Sequence, residues 1–541
     1  MSNHKNLPAG WIEATIPELI GADGLFVDGD WVESKDQDPN GDVRLVQLAD
    51  IGDGYFVNKS NRFLTKNKAV DLGCTLLKKG DVLVARMPDP LGRACIFPGD
   101  VRDSVTVVDV CVVRSSVSDN FDHRWLMHFV NAPEFRERIH SLQSGSTRKR
   151  ISRGNLSTLP LPIPPRKEQI RIVEKLEELL SDLDAGVAEL KAAQKKLAQY
   201  RQSLLKAAVE GELTAEWRRK APLTPIPSPA GRGEQEKPLA LGERGWGEGE
   251  SGAQLLERIL KERRARWEEK QLARFREQGK TPPKGWRDKY PEPVPPDTAN
   301  LPELPEGWVW SSIGECFRVA VGATPSRKEP TYWNGSIPWV SSGEVQFSRI
   351  TVTKETITEE GLNNSSTQIN PVGSVLLGMI GEGKTRGQVA ILDIEAANNQ
   401  NCAAILGSET DVPSEYVYYW LWSQYEQTRR GSSGNNQPAM NKSIVERLLF
   451  PMAPLEEMKE IVRLVEFALN LATEQSTAIK YSLAQAAAQR KNILKAAFSG
   501  QLVPQDPADE PASVLLERIR AERATRKGTT SLRGRKRKET D

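Results

Sequence analysis

Residues 165–211 read PRKEQIRIVEKLEELLSDLDAGVAELKAAQKKLAQYRQSLLKAAVEG. Leu176, Leu183, Leu190, Leu197 and Leu204 fall every seven residues. Ile172, Leu179, Ala193, Tyr200 and Ala207 take the intervening seam positions, and charged side chains fill most of the remainder. A seven-residue apolar repeat keeps one seam turned toward a neighbour, which predicts a coiled-coil helix. From Arg166 to Gly211 it would be about 70 Å long at 1.5 Å per residue.

Outward from this stretch the chain repeats itself. Pro165-Arg-Lys-Glu168 aligns with Pro454-Leu-Glu-Glu457 at an offset of 289. The same offset carries Arg201-Gln-Ser-Leu-Leu-Lys-Ala-Ala208 onto Arg490-Lys-Asn-Ile-Leu-Lys-Ala-Ala497, and Gly211 onto Gly500. The second helix holds Val465, Ala472, Ile479, Ala486 and Ile493 in the matching register, with Ala468, Gln475 and Ser482 between them. A leucine-rich seam against an alanine-rich one packs large into small, so the two helices are expected to pair. The alternative is two helices docked separately, each on its own domain.

The flanks repeat as well. Leu7-Pro8-Ala9-Gly10-Trp11 returns as Leu304-Pro305-Glu306-Gly307-Trp308. Gly80-Asp81-Val82-Leu83, followed by Gly92-Arg93-Ala94, returns as Gly373-Ser374-Val375-Leu376, followed by Gly387-Gln388-Val389. Leu255-Leu-Glu-Arg-Ile259 returns as Leu515-Leu-Glu-Arg-Ile519 at an offset of only 260, so the first copy is 29 residues longer. The extra residues fall in the Pro/Gly-rich stretch Pro222–Gly252, whose composition is that of a disordered linker. Domain, helix, linker, domain, helix, tail is the order of a tandem duplication.

The 541 residues are 38% hydrophobic and 27% charged, and no run approaches the roughly 18 apolar residues of a membrane helix. A cytoplasmic protein without a membrane partner is expected. Five scattered cysteines without a CxxC pair argue against a disulfide framework and a zinc site, so no metal is expected. Four histidines leave little for general-base chemistry, and His123 and His128 read as structural. Net charge is +2, so affinity for nucleic acid must come from local clusters.

Gly378-Met-Ile-Gly-Glu-Gly383-Lys384-Thr385 matches the P-loop pattern, which needs a helix to begin at the lysine. Here a glycine and a strand-like run follow, and the first copy lacks the motif, so a hairpin turn is favoured. A P-loop NTPase using Lys384 and Thr385 stays open as the enzymatic alternative, and a coiled-coil scaffold without DNA affinity as the structural one. Gly145-Ser-Thr-Arg148-Lys149-Arg150 precedes the first helix, while the second copy carries Asn435, Asn436 and Gln437. Arginine and lysine suit phosphates and guanine edges, whereas asparagine and glutamine suit adenine edges. Equivalent loops with different heads fit two domains reading different DNA sequences; a solvated loop is the plain alternative. Arg533–Lys538 reads as a disordered basic tail.

The Leu-Pro-x-Gly-Trp openings, the Gly-Asp-Val-Leu hairpins, Leu159-Pro-Leu-Pro-Ile-Pro-Pro-Arg-Lys-Glu-Gln169, the Leu-Leu-Lys-Ala-Ala helix ends and Leu-Leu-Glu-Arg-Ile recur in an order. That order resembles the specificity subunit of type I restriction–modification systems. The resemblance implies an α/β (α+β) chain with two strand-rich target recognition domains joined by two long helices in an antiparallel coiled coil. It implies double-stranded DNA with a bipartite site as ligand, with two modification (methyltransferase) subunits and restriction (translocase/nuclease) subunits as partners. S-adenosylmethionine, ATP and Mg2+ would belong to those partners; no catalytic residue and no cofactor is expected in this subunit.

The expected organisation is a first recognition domain at 1–165, the first helix at 166–215 and the insertion at 216–252. A charged helix and linker follow at 253–299, then the second domain at 300–454. The second helix takes 455–503, with a C-terminal helix and tail at 504–541. Candidate DNA contacts are Arg86, Arg93, Ser146, Thr147, Arg148, Lys149 and Arg150 in the first domain. In the second they are Lys384, Arg386, Asn435, Asn436, Gln437, Asn441 and Lys442.

Overall fold

The computed structural model describes residues 7–536 except 22, 89, 116–120, 146–148, 221–248, 382–383 and 431–439. The chain divides into two compact units, Met1–Ala192 with Ile479–Asp541, and Ala193–Ala478. Each long helix therefore contributes one part to each unit. The helices run Arg166–Val209 and Leu455–Phe498, 44 residues apiece.

Each unit carries three sheets in a related arrangement, the largest gaining a fifth strand in the second unit. In the first unit, Leu25–Asp28, Val110–Arg114, Val82–Ala85 and Ala94–Ile96 form an antiparallel sheet in that order. Phe63–Leu64, Val43–Val46 and Ser104–Thr106 form a second, and Ile12–Ala14 pairs with Leu161–Ile163. The second unit has a five-stranded sheet ordered Arg318–Val321, Cys402–Leu406, Val375–Gly378, Val389–Leu392, Ser348–Ile350. Its three-stranded sheet is Glu355–Ile357, Trp333–Val340, Ala397–Asn398, and Val309–Ser312 pairs with Leu449–Met452. The run Val105–Val113, which alternates like one strand, is two. Ser104–Thr106 lies parallel to Arg44–Val46, and after a turn closed by Val110 N–H to the Val107 carbonyl, the rest enters the other sheet.

The long helices are antiparallel within each unit. In the first, Ile172, Val173, Leu176 and Leu180 share a core with Leu494 and Ala497, and Arg490 bonds Asp184 at 2.6 Å. In the second, Leu205, Ala208 and Val209 meet Met458, Ile461 and Val465, and Arg201 donates to Thr473 Oγ1 at 3.1 Å. Leu176, Leu204, Val465, Ala472 and Ala486 are buried, while Leu183, Leu190, Leu197, Ile479 and Ile493 are half-buried. Ala193, Tyr200 and Gln475 are exposed, which corrects their assignment to the seam. Leu176 and Val465 are buried within the domain cores, and the small side chains of Ala472 and Ala486 are buried outside them.

One elbow is built twice. The indole Nε1 of Trp11 donates to Glu168 Oε2 at 3.1 Å, and that of Trp308 to Glu457 Oε2 at 2.8 Å. Gly500 and Gly211, each ending a long helix in the left-handed region (φ 71° and 73°), lie against Pro8 and Pro305. A Cβ there would come within 2.5 Å and 2.6 Å of the proline Cγ, so only glycine allows the approach. The charged helices Gly252–Glu277 and Ala512–Lys536 also start on these elbows: Gly252 N–H donates to the Gly307 carbonyl and Ala512 N–H to that of Gly10. Leu255 and Ile259 bury against the second domain, Leu515 and Ile519 against the first. The C-terminal segment thus completes the N-terminal domain, as residues 252–259 complete the second.

Two expectations shift. Residues 216–220 of the expected insertion belong to the short helix Ala215–Lys220, and Arg533–Lys536 continue the last helix where a disordered tail was expected. Residues 221–248 of the insertion and residues 537–541 lie outside the described residues, while Gly252, at the end of the insertion, already begins the next helix.

Candidate nucleic-acid interface

In the first domain the loop 144–150 is closed by paired bonds between Ser144 and Arg150, 2.8 Å and 2.9 Å. Lys149 and Arg150 are exposed on it; Ser146, Thr147 and Arg148 lie outside the described residues. Arg86 and Arg93, expected to touch DNA, are each only 7% exposed. The Arg86 guanidinium donates to the Ile151 and Val108 carbonyls and pairs with Asp28 at 3.2 Å. That of Arg93 donates to the carbonyls of Ile51 (2.6 Å), Leu48 (2.7 Å), Pro90 (3.1 Å) and Met87 (3.3 Å). A five-donor cation on a hairpin edge suits clustered carbonyls, and these two residues tie the neighbouring loops to the hairpin. The structure assigns them to loop positioning instead of DNA contact.

The second domain repeats this convergence. Ile151 N–H donates to the Arg86 carbonyl, and in the repeat Met440 N–H donates to that of Met379. Gly54 N–H donates to Ala94, and Phe347 N–H to Val389. Lys384 is exposed on the hairpin turn and Arg386 is half-buried. The bonds from Gly378 N–H to the Gln388 carbonyl and from Gly387 N–H to the Gly378 carbonyl close an antiparallel hairpin between Val375–Gly378 and Val389–Leu392. No helix begins at Lys384, so backbone N–H groups are not gathered for a phosphate and the P-loop reading falls. Asn441 caps the short helix Lys442–Glu446, accepting from Ile444 N–H at 3.0 Å, and Lys442 pairs with Glu446 at 3.6 Å; both remain exposed. Asn435, Asn436 and Gln437 lie outside the described residues.

The acids that anchor the loops were not singled out by sequence reasoning. Buried Asp50 accepts from the N–H groups of Gln47, Lys59 and Ser60, each at 2.7 Å, from the Ser60 hydroxyl, and from Arg44 at 3.3 Å. Its counterpart Glu344 accepts from Ser341 N–H and Oγ and from Lys354 N–H, all within 2.9 Å. The available signal was Ser341-Ser-Gly-Glu344, a capping-box pattern. Burial lowers the pKa of His123 and raises the Cys95, Cys316 and Cys402 thiols to about 12. The three thiols are buried and His123 is half-buried. Among the described residues no group of three or more His, Cys, Asp or Glu is placed to hold a metal, and no helix is long and apolar enough to cross a membrane.

A hairpin and an acid-anchored loop recur in both domains with unlike exposed side chains, which defines a duplicated recognition protein. The family model described as "Type I restriction modification DNA specificity domain" matches residues 23–192 and 305–481, more than half of the chain, and the chain belongs to that family. It is 23% identical over 399 residues to the specificity subunit of the type I restriction enzyme EcoDI of Escherichia coli, covering 72% of this chain and 74% of that one. It is 22% identical over 445 residues to that of EcoAI, also of Escherichia coli, covering 77% and 72%. A solved structure titled for complex assembly and conformational transition of the type I R-M system shares the fold, with TM-score 0.61 at 16% identity over 92% of this chain and 99% of the other.

Proposed function

We propose that each domain reads one half of a bipartite duplex site and that the two shared helices set the spacing. Forty-four residues at 1.5 Å per residue give about 66 Å, and a DNA turn is roughly 34–36 Å, so half-site centres one to two turns apart are expected. Adenine methylation and ATP-driven cleavage belong to two modification subunits and to restriction subunits in the cytoplasm. S-adenosylmethionine, ATP and Mg2+ are theirs, and this chain supplies no catalytic group.

One observation carries this reading: two backbone bonds recur in both domains, Ile151 N–H to Arg86 as Met440 N–H to Met379, and Gly54 N–H to Ala94 as Phe347 N–H to Val389, yet the adjoining sequence carries Lys149 and Arg150 in one copy and Asn435, Asn436 and Gln437 in the other. A single duplicated enzyme site would repeat its chemical groups; two readers of different sequences repeat only their scaffold. The test is a domain exchange with another family member over residues 24–158, which leaves the elbow contacts of Pro8, Gly10 and Trp11 in place. Methylated sites are then mapped in cells supplying the methyltransferase partner. One half of the motif changes and the other does not; a change in both halves, or in neither, overturns the proposal.

A further inference from the structure

In the first domain the turn after Asp50 is pinned from every side yet carries free heads. Gly52 N–H closes it on the Tyr55 carbonyl at 3.0 Å, and Val57 N–H returns to the Asp50 carbonyl at 2.8 Å. Phe56 packs edge-on against Phe97, ring centroids 5.6 Å apart. Arg93 holds the Leu48 and Ile51 carbonyls at its base, and Asp50 gathers its exit. Despite this rigidity Tyr55 is 64% exposed and Val57 40%, while Asn58 is exposed in the left-handed region at φ 55°. The side-chain heads of Tyr55, Asn58 and Lys59 are not engaged in hydrogen bonds or ion pairs with the described residues.

Its position is set by the hairpin Val82–Ile96. Arg93 of that hairpin holds this turn, and Arg86 of the same hairpin holds Ile151, next to Lys149 and Arg150. The nearest acid on the turn, Asp53, is neutralised by a bidentate pair with Arg136 at 2.6 Å and 3.1 Å. Exposed Trp31 borders a separate recess of about 850 Å3 lined by Asp30, Glu33, Lys35 and Asp109, in which Glu33 pairs with Lys35 at 2.8 Å. In the second domain the Glu344-anchored loop bears different heads: Arg349 there is tied to Asp393 and Glu415. A fixed frame with interchangeable tips is what discrimination between half-sites requires.

We propose that the turn Gly52–Ser60 is a base-reading loop of the first domain, with Asn58 and Tyr55 facing base edges and Lys59 on phosphate. This rests on the DNA-reading role above. Asparagine matches the N6/N7 edge of adenine, and the tyrosine ring and hydroxyl suit a thymine methyl and an acceptor, so the loop reads an A·T position.

The test maps methylated sites from the complex of this chain with its methyltransferase partner, comparing wild type with Tyr55→Ala, Asn58→Ala and Lys59→Ala. Tyr55→Ala or Asn58→Ala relaxes one A·T position in one half-site, discrimination there falling about 5- to 150-fold, and leaves the other half unchanged. Lys59→Ala keeps the motif and weakens all duplexes alike. Wild-type motif and discrimination in both Tyr55→Ala and Asn58→Ala overturn the proposal, as does loss of all methylation by a variant that melts normally. Should an alanine variant melt low, Tyr55→Phe and Asn58→Asp replace it, and an unchanged motif from that pair overturns the proposal equally. A wild-type complex yielding no bipartite motif would instead defeat the underlying reading.

Discussion

Trp308 donates its indole N–H to Glu457 at 2.8 Å, and that carboxylate is fully buried. Glu457 also accepts from Thr214 Oγ1 at 2.7 Å and from Arg218. The repeat-equivalent Glu168 takes the indole of Trp11, but its Oε1 is buried and meets no donor among the described residues. Two copies of one elbow thus hold their carboxylates in unlike electrostatic surroundings.

Glu457→Gln removes a charge-assisted acceptor from Arg218 and should cost about 1.5–3 kcal/mol. Glu168→Gln should be neutral or stabilising at pH 7, because burial raises the Glu168 pKa above its ordinary 4.5. A carboxyl whose folded pKa is raised binds its proton more tightly when folded. Its penalty is therefore absent below about pH 4.5, grows above it, and is complete beyond the folded pKa. Melting temperatures of wild type and variant against pH check this: the Glu168→Gln advantage should widen with rising pH, and a gap constant across pH contradicts it.

Gly500→Ala forces a left-handed backbone on alanine and a Cβ into Pro8, a cost of at least about 1–2 kcal/mol from the backbone alone. Gly186→Ala, inside the first long helix with nothing within 4 Å of the added Cβ, should gain up to about 1 kcal/mol. Urea unfolding of the two variants should move in opposite directions.

Arg93→Ala and Lys149→Ala should separate stability from affinity. The first strands four carbonyl contacts and lowers the melting temperature. The second leaves melting unchanged and weakens binding to every duplex, reducing the slope of log affinity against log salt by about 0.9. Salt titrations by fluorescence anisotropy distinguish them.

Lys384 sits on a hairpin turn, so calorimetric titration with MgATP should give no saturable binding in this chain. Lys384→Ala should again reduce the salt slope for DNA by about 0.9. Nucleotide binding lost in Lys384→Ala would restore the enzymatic reading.

Much of the architecture was legible as repetition. The heptad leucines from Leu176 to Leu204 marked the first helix, and the offset of 289 found its partner and the two domains. These signals are local and periodic, so composition and spacing carry them directly. The interface was less legible. Arg86 and Arg93 look like free cations in sequence, since nothing near them announces the carbonyls of Ile151 and Leu48 that hold them.

What the sequence determined by itself was the duplication, the helices, the hairpins and the family, because each is written in a short pattern or its recurrence. Only the tertiary structure decided which arginines hold loops, that the run Val105–Val113 serves two sheets, and that Ala512 closes on Gly10. Those outcomes depend on groups remote in the chain, such as Arg93 and Leu48, 45 residues apart, meeting where each buried donor must find an acceptor. Spacing along a chain does not encode that choice; packing makes it.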